Sequence, residues 1–327
     1  MRVGHDKYPA FVGVPTIKPD KALHPALPRD ARLPINRCSV PADILGGLTF
    51  QRHPVALTLD GVLELHQGLF RRLDGLSDTT ERAQLFMAHM AAAFSLDEPE
   101  AAGWSAQASH DRSKASYLKS ILGWTFDSDG IEGAVLKGWV ESRFGLLPRH
   151  HGGPIRDLSG EHYRRYLEMR AQGLYGTNGL EAQLDLLYSY CQYELGRQRA
   201  RDIAPEAHQA PSPASGMPQG RSFIRGRGER EKPPSPTHIT LYRGVNRVSE
   251  HETLLDLGRG RRVVLLNSLS SFSAERERAG EFGDFILEVS VPLAKIVFYP
   301  QLLPGMPKGE DEYAVIGGVY EVGYSML

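Results

Sequence analysis

Gly309-Glu310-Asp311-Glu312-Tyr313-Ala314-Val315-Ile316 decides how the C-terminal part of this 327-residue chain is read. An apolar run directly behind an acidic triplet, fed by the turn residues of 305–309, reads as the start of a buried strand. On an extended strand residues i and i+2 share a face, so Glu310 and Glu312 point one way and Asp311 the other. Two like charges on one face repel. Alone, the stretch also fits a solvated acidic turn, and the residues upstream bear on that choice.

Ile239-Thr240-Leu241-Tyr242-Arg243-Gly244 is β-rich and ends in an Arg followed by a Gly. Val263-Val264-Leu265-Leu266-Asn267-Ser268-Leu269-Ser270-Ser271-Phe272-Ser273 is a strand that runs into serines. Each motif alone is weak, since an exposed strand Arg or a strand-end Ser is commonplace. In the order Arg, Ser-x-Ser, Glu-x-Glu, each on a strand-like segment, they resemble the arginine-specific mono-ADP-ribosyltransferases.

Those side chains suit that chemistry. Breaking the bond between nicotinamide and ribose passes through a cationic, oxocarbenium-like sugar, which a nearby carboxylate stabilises; Glu312 is the candidate. Arg243 offers an always-charged planar donor for phosphate or ribose oxygens. Gly244 leaves room for close approach to the backbone. Ser271 can bond the ribose or orient Glu312. An acceptor arginine is protonated and a poor nucleophile, so a second carboxylate, Glu310, can pair with it and take its proton.

Composition bounds the rest. A hydrophobic content of 41% and a net charge of −1 are those of an ordinary globular chain with no global pull toward nucleic acid or membrane. No apolar stretch reaches the length of a membrane span. Two cysteines, Cys38 and Cys191, make no disulfide framework, and the N-terminus lacks the apolar core of a signal peptide, so a cytoplasmic location is expected.

Along the chain, the prolines of 1–56 predict irregular structure wrapped on a core. Helical periodicity appears over 57–73, 79–94 (capped by Thr79 or Thr80), 132–144 (stopped by Gly145), 159–175 and 179–200. Cys191 falls on the apolar side of the last of these, as a small core residue. Asp127-Ser128-Asp129-Gly130 has the start of a calcium loop, but Leu136 stands where the closing Glu belongs, so it reads as a turn or cap. His150, His151 and His162 lack ligand spacing for a metal. From 203 to 236 Pro, Ser, Gly and Arg dominate, which predicts a linker or long exposed insertion. Strands are expected over 238–243, 262–268, 284–291, 295–299 and 313–322, with a helical turn within 274–282. The expected organisation is α+β: a mostly helical region over 1–202, the 203–236 segment, and a β-rich core of mixed sheet over 237–327.

The N-terminal half narrows the resemblance. Leu122-Gly123-Trp124-Thr125-Phe126-Asp127-Ser128-Asp129-Gly130-Ile131-Glu132-Gly133 and onward to Leu146, with Asp60-Gly61-Val62 and Gly68-Leu69-Phe70, is similar to the NAD+–dinitrogen-reductase ADP-D-ribosyltransferases of nitrogen-fixing bacteria. The wider resemblance to the arginine-specific transferases implies an Arg243–Ser271–Glu312 triad, with Glu310 conferring arginine specificity. It implies NAD+ as co-substrate, held by Arg243, Gly244, Ser271, Ser273 and Phe282, the last near the nicotinamide. Gln301 to Gly309 becomes the turn that presents the acceptor. Phe272 departs from the arginine-specific mono-ADP-ribosyltransferases, many of which carry Thr there. The implied activity transfers ADP-ribose to an arginine of nitrogenase iron protein, switching nitrogenase off reversibly, under control of a PII-type signalling protein. The competing readings are the same chemistry on another target, an NAD glycohydrolase, and a non-catalytic PII-binding module that kept the fold.

Overall fold

The computed structural model describes residues 25–96, 116–151, 153–175, 179–207, 237–247, 250–304, 306 and 311–326. Ten α-helices and eight strands are named here in chain order: α1 (Ala42–Leu45), α2 (Leu48–Arg52), α3 (Val62–Leu65), α4 (Gln67–Asp74), α5 (Thr79–Phe94), α6 (Tyr117–Phe126) and α7 (Ile131–Phe144) come first. Then follow β1 (Arg149–His150), β2 (Gly153–Pro154), α8 (Glu161–Leu174), α9 (Leu180–Ala207), β3 (His238–Val245), β4 (Glu252–Gly258) and β5 (Arg261–Ser273). The chain closes with α10 (Arg276–Gly280), β6 (Phe285–Pro292), β7 (Ile296–Phe298) and β8 (Glu312–Met326). This is the expected α+β arrangement, helical first and β-rich after. The sheet differs in one respect: every described pairing is antiparallel rather than mixed.

Several local readings change. The helix expected over 57–73 starts only at Val62, because Gly61 precedes it with φ 78°, and it breaks at His66 into α3 and α4. Asp78, not Thr79 or Thr80, caps α5, its side chain accepting from the Glu81 amide at 2.9 Å. Within the stretch read as irregular, α1 and α2 form, and Gln51 of α2 is buried. Its amide donates to the Ser290 and Glu321 carbonyls and accepts from the Glu321 amide, clamping β6 to β8. Gly145 ends α7 as expected, at φ 72°. Residues 203–207 continue α9, and 208–236 lie outside the described residues.

The Asp127–Gly130 piece is a turn between α6 and α7. Asp127 accepts from the Asp129 amide at 2.9 Å, while Asp129 pairs with buried Lys137 and accepts from the His151 amide at 3.0 Å. His162 Nε2 meets the His150 carbonyl at 2.6 Å and the His150 ring packs against Tyr166. Among the described residues no three such groups could hold a metal ion. Both cysteines are free thiols; burial raises the pKa of Cys191, which is a core residue.

In the six-stranded sheet, β3–β5–β8–β6 form a closed circuit with β4 and β7 at its sides. The two long strands bend to make this possible. Their register shifts between Leu266 and Leu269, opposite Gly317 and Gly318, the latter at φ 111°. A Cβ at Gly317 would lie 1.6 Å from the Asn267 carbonyl oxygen, so only glycine fits there. The Asn267 side chain exchanges two hydrogen bonds with the Arg149 backbone, bracing the bend from β1. One contiguous apolar core then takes Trp139, Phe144, Leu184 and Tyr188 from the helices and Ile296, Val315 and Tyr320 from the sheet. The segment of β5 beyond the bend, Leu269–Ser273, runs against Glu312–Ile316 of β8.

Candidate active site

Register places the site. Ser273 pairs with Glu312 and Ser271 with Ala314, so Ser271, Ser273 and Glu312 lie on one face of the β5–β8 ladder. Ser271 Oγ donates to Glu312 Oε1 across the strands. Arg243, on β3, donates from Nη1 to the Ser271 carbonyl at 2.8 Å. Three sequence positions 69 residues apart at their extremes therefore meet at the end of the ladder.

A cavity of about 380 Å³ opens over them, lined by Trp124, Arg243, Gly244, Ser271, Phe282 and Glu312 among others. That volume is in the ordinary range for a small-molecule site. Phe126 and Phe282 stand at it with 87% and 56% of their surface exposed, flat apolar faces that a planar ring can stack on. A larger cavity of about 480 Å³ lies between the Pro54–Leu59 stretch and α9, and holds none of the expected site residues.

Burial dominates the electrostatics around the cavity. Burial pushes the Arg243 guanidinium down from its ordinary value, and the Glu250 and Glu312 carboxylates oppose that shift. His251 is driven down to about 3, first by burial and then by the Arg243 and Arg149 cations, so it stays neutral at physiological pH.

All the expected site residues except Glu310 have a definite place. Glu312, Ser271, Ser273, Arg243, Gly244 and Phe282 all line the cavity. Ser273 also accepts from the Glu275 amide at 3.0 Å, which ties it to the turn into α10. At Gly244 a Cβ would lie 2.0 Å from the Ala279 carbonyl, so β3 can approach α10 only through a glycine. Glu310 and most of the 305–309 turn lie outside the described residues.

The residue the sequence reading left out of the site is Trp124. It is 2% exposed, and its Nε1 donates to Glu312 Oε1 at 2.7 Å and to Ser271 Oγ at 3.1 Å. A buried Trp needs a partner for its N–H. That need was a usable signal, but nothing local says the partner stands 188 residues away.

The family of dinitrogenase reductase ADP-ribosyltransferases matches residues 35–208 and 223–324. A curated relative, the NAD(+)–dinitrogen-reductase ADP-D-ribosyltransferase of Rhodospirillum rubrum, is 36% identical over 294 residues, covering 89% of this chain and 95% of the relative. No solved structure matches. With both halves matched and the unmatched residues 209–222 falling inside the Pro/Gly/Arg-rich segment, this chain belongs to the dinitrogenase reductase ADP-ribosyltransferase family.

Proposed function

We propose that this protein transfers ADP-ribose from NAD+ to an arginine of dinitrogenase reductase, releasing nicotinamide and inactivating nitrogenase reversibly. The observation that carries this is the convergence of Arg243, Ser271 and Glu312 on one cavity, in a chain of this family. The residues fit the dinucleotide: a guanidinium for its phosphate or ribose oxygens, exposed aromatic rings at the mouth, and a carboxylate oriented by two donors.

The roles follow from charge. As the C1′–N bond breaks, its electron pair leaves with nicotinamide and positive charge develops on the ribose. Glu312, fixed at Oε1, stabilises that charge. An arginine nitrogen of the acceptor then bonds to C1′ and must lose a proton. Glu310, two residues before Glu312 in the sequence, is assigned to accept it; the alternation expected from the sequence does not carry back to it, because β8 begins at Glu312 and Asp311 turns at φ 39°. Arg243 and Gly244 hold the dinucleotide, Ser271 orients Glu312, and Phe282 faces the nicotinamide. Ser273 serves as a second hydroxyl on the same face.

A PII-type signalling protein as regulatory partner and a cytoplasmic location complete the proposal, both supported by the family resemblance. Among the described residues no helix is long and apolar enough to cross a membrane. The domain organisation belongs to the same proposal: a helical region over 1–202, a linker or insertion over 203–236 into which α9 runs as far as Ala207, and the catalytic core over 237–327. Nicotinamide release, measured with and without dinitrogenase reductase, tests the whole. Release that rises with the reductase and labels it supports the transfer. Release without labelling supports a glycohydrolase, and no release supports a non-catalytic module.

A further inference from the structure

The carboxylate assigned to the ribose is not held by the sheet alone. Trp124 sits in the last turn of α6, a helix capped by Ser116 and tied to α9 through the Tyr117 amide, which donates to Gln183 Oε1 at 3.0 Å. Its indole reaches out of the helical half to touch both Glu312 and Ser271. An indole N–H can only donate, whereas a carboxylic acid and a hydroxyl can each reverse roles. The 2.7 Å contact therefore requires an acceptor at Oε1, and the Ser271 hydroxyl donates to the same oxygen. Two donors converging on one oxygen fix the carboxylate plane and favour its ionised form.

The surroundings keep the indole in place. Lys137 Nζ stands 5.9 Å from its ring centroid, and that ammonium is in turn paired with Asp129. Arg243 also interacts electrostatically with Glu312. Trp124 belongs to the contiguous core and has little freedom to turn away.

From this geometry we infer that Trp124 is a positioning residue, which sets the orientation and charge of Glu312 so that the helical half completes the catalytic carboxylate. The inference rests on the role given to Glu312 above. Trp124→Phe keeps an aromatic ring in the core and removes the donor, together with part of the indole's volume. Losing one hydrogen bond to a charged group should raise the Glu312 carboxyl titration, followed by carbon NMR, by about one to two pH units. It should lower kcat for NAD+ cleavage about tenfold or more while KM for NAD+ stays within about threefold. A merely structural role would lower the melting temperature and leave the titration unmoved, which would overturn the inference. Should Trp124→Phe fail to fold, the wild-type indole Nε1–H resonance decides instead. It should move as Glu312 protonates, and an indole peak indifferent to that titration would overturn the inference. A wild type inert toward NAD+ would count against the transferase reading, and the titration would still settle the part played by Trp124.

Discussion

Ser271 and Glu312 share a hydrogen bond although they are not cross-strand partners: the register opposes Ser271 to Ala314 and Ser273 to Glu312. The contact is diagonal, one of the longer reaches a ladder allows. It exists only in this register, since a slip of one residue would send Glu312 to the opposite face. The bend at Asn267 and Gly317–Gly318 sets that register, so a backbone feature remote from the cavity fixes the pair.

Ser271→Ala removes one of the two donors on Glu312 Oε1 and leaves the Trp124 contact. NAD+ cleavage should fall by about tenfold to a hundredfold, as expected for one hydrogen bond to a charged group, with KM for NAD+ little changed. Steady-state kinetics check this; a loss confined to KM would assign Ser271 to binding the dinucleotide rather than to orienting the acid.

Arg82 and Glu194 form a buried pair joining α5 to α9, with contacts of 2.6 and 2.7 Å and each side chain 1% exposed. The hydrogen bond to Glu194 raises the Arg82 pKa against the cost of burial. Arg82→Met strands a buried carboxylate and should cost about 3–5 kcal/mol. The double variant Arg82→Met/Glu194→Leu should recover most of that loss in thermal melts, because no lone charge remains buried.

Lys295 is fully buried, its Nζ donating to the Gly317 carbonyl at 2.8 Å and lying 4.6 Å from the Tyr320 ring centroid. Burial pushes its pKa from 10.5 down to about 7. Between those values the unfolded chain binds more protons, so stability contributed by this group rises with pH from about 7 toward 10.5. Below that window the buried ammonium carries its full desolvation cost. Lys295→Met should therefore melt higher than wild type at pH 7 and below, with the gap closing as pH rises. A gap independent of pH would contradict the assignment.

Residues 209–222 fall in the gap between the two matched stretches of the family. Their removal, with a short Gly/Ser bridge, should leave transfer rates within about twofold, as surface insertions tolerate length changes. A larger fall in labelling of the reductase would give the segment a part in docking or control.

Much of this was legible in the sequence. Arg243, Ser271 and Glu312 announced themselves because each sits on a strand with a clear apolar pattern, and strand alternation alone put Ser271 and Ser273 on one face. What stayed hidden was non-local or edge-like. β4 was missed because it pairs only with β5, is largely exposed, and its Glu252, Asp256 and Gly258 break any alternation. Trp124 fell outside every helix expected from the sequence, and helical spacing would in any case report burial, not which polar group a buried N–H meets. α1 and α2 were masked by prolines that stand at their borders rather than inside them: Pro41 is the N-cap of α1.

The most direct measurement incubates the protein with NAD+ labelled in its ADP-ribose part and dinitrogenase reductase, comparing wild type, Glu310→Gln and Glu312→Gln. Wild type should label the reductase on arginine. Glu310→Gln should lose labelling yet keep some nicotinamide release, and Glu312→Gln should lose both. Equal retention of labelling and release in Glu310→Gln would contradict the division between the two carboxylates, and an unlabelled reductase with wild type would contradict the transfer itself.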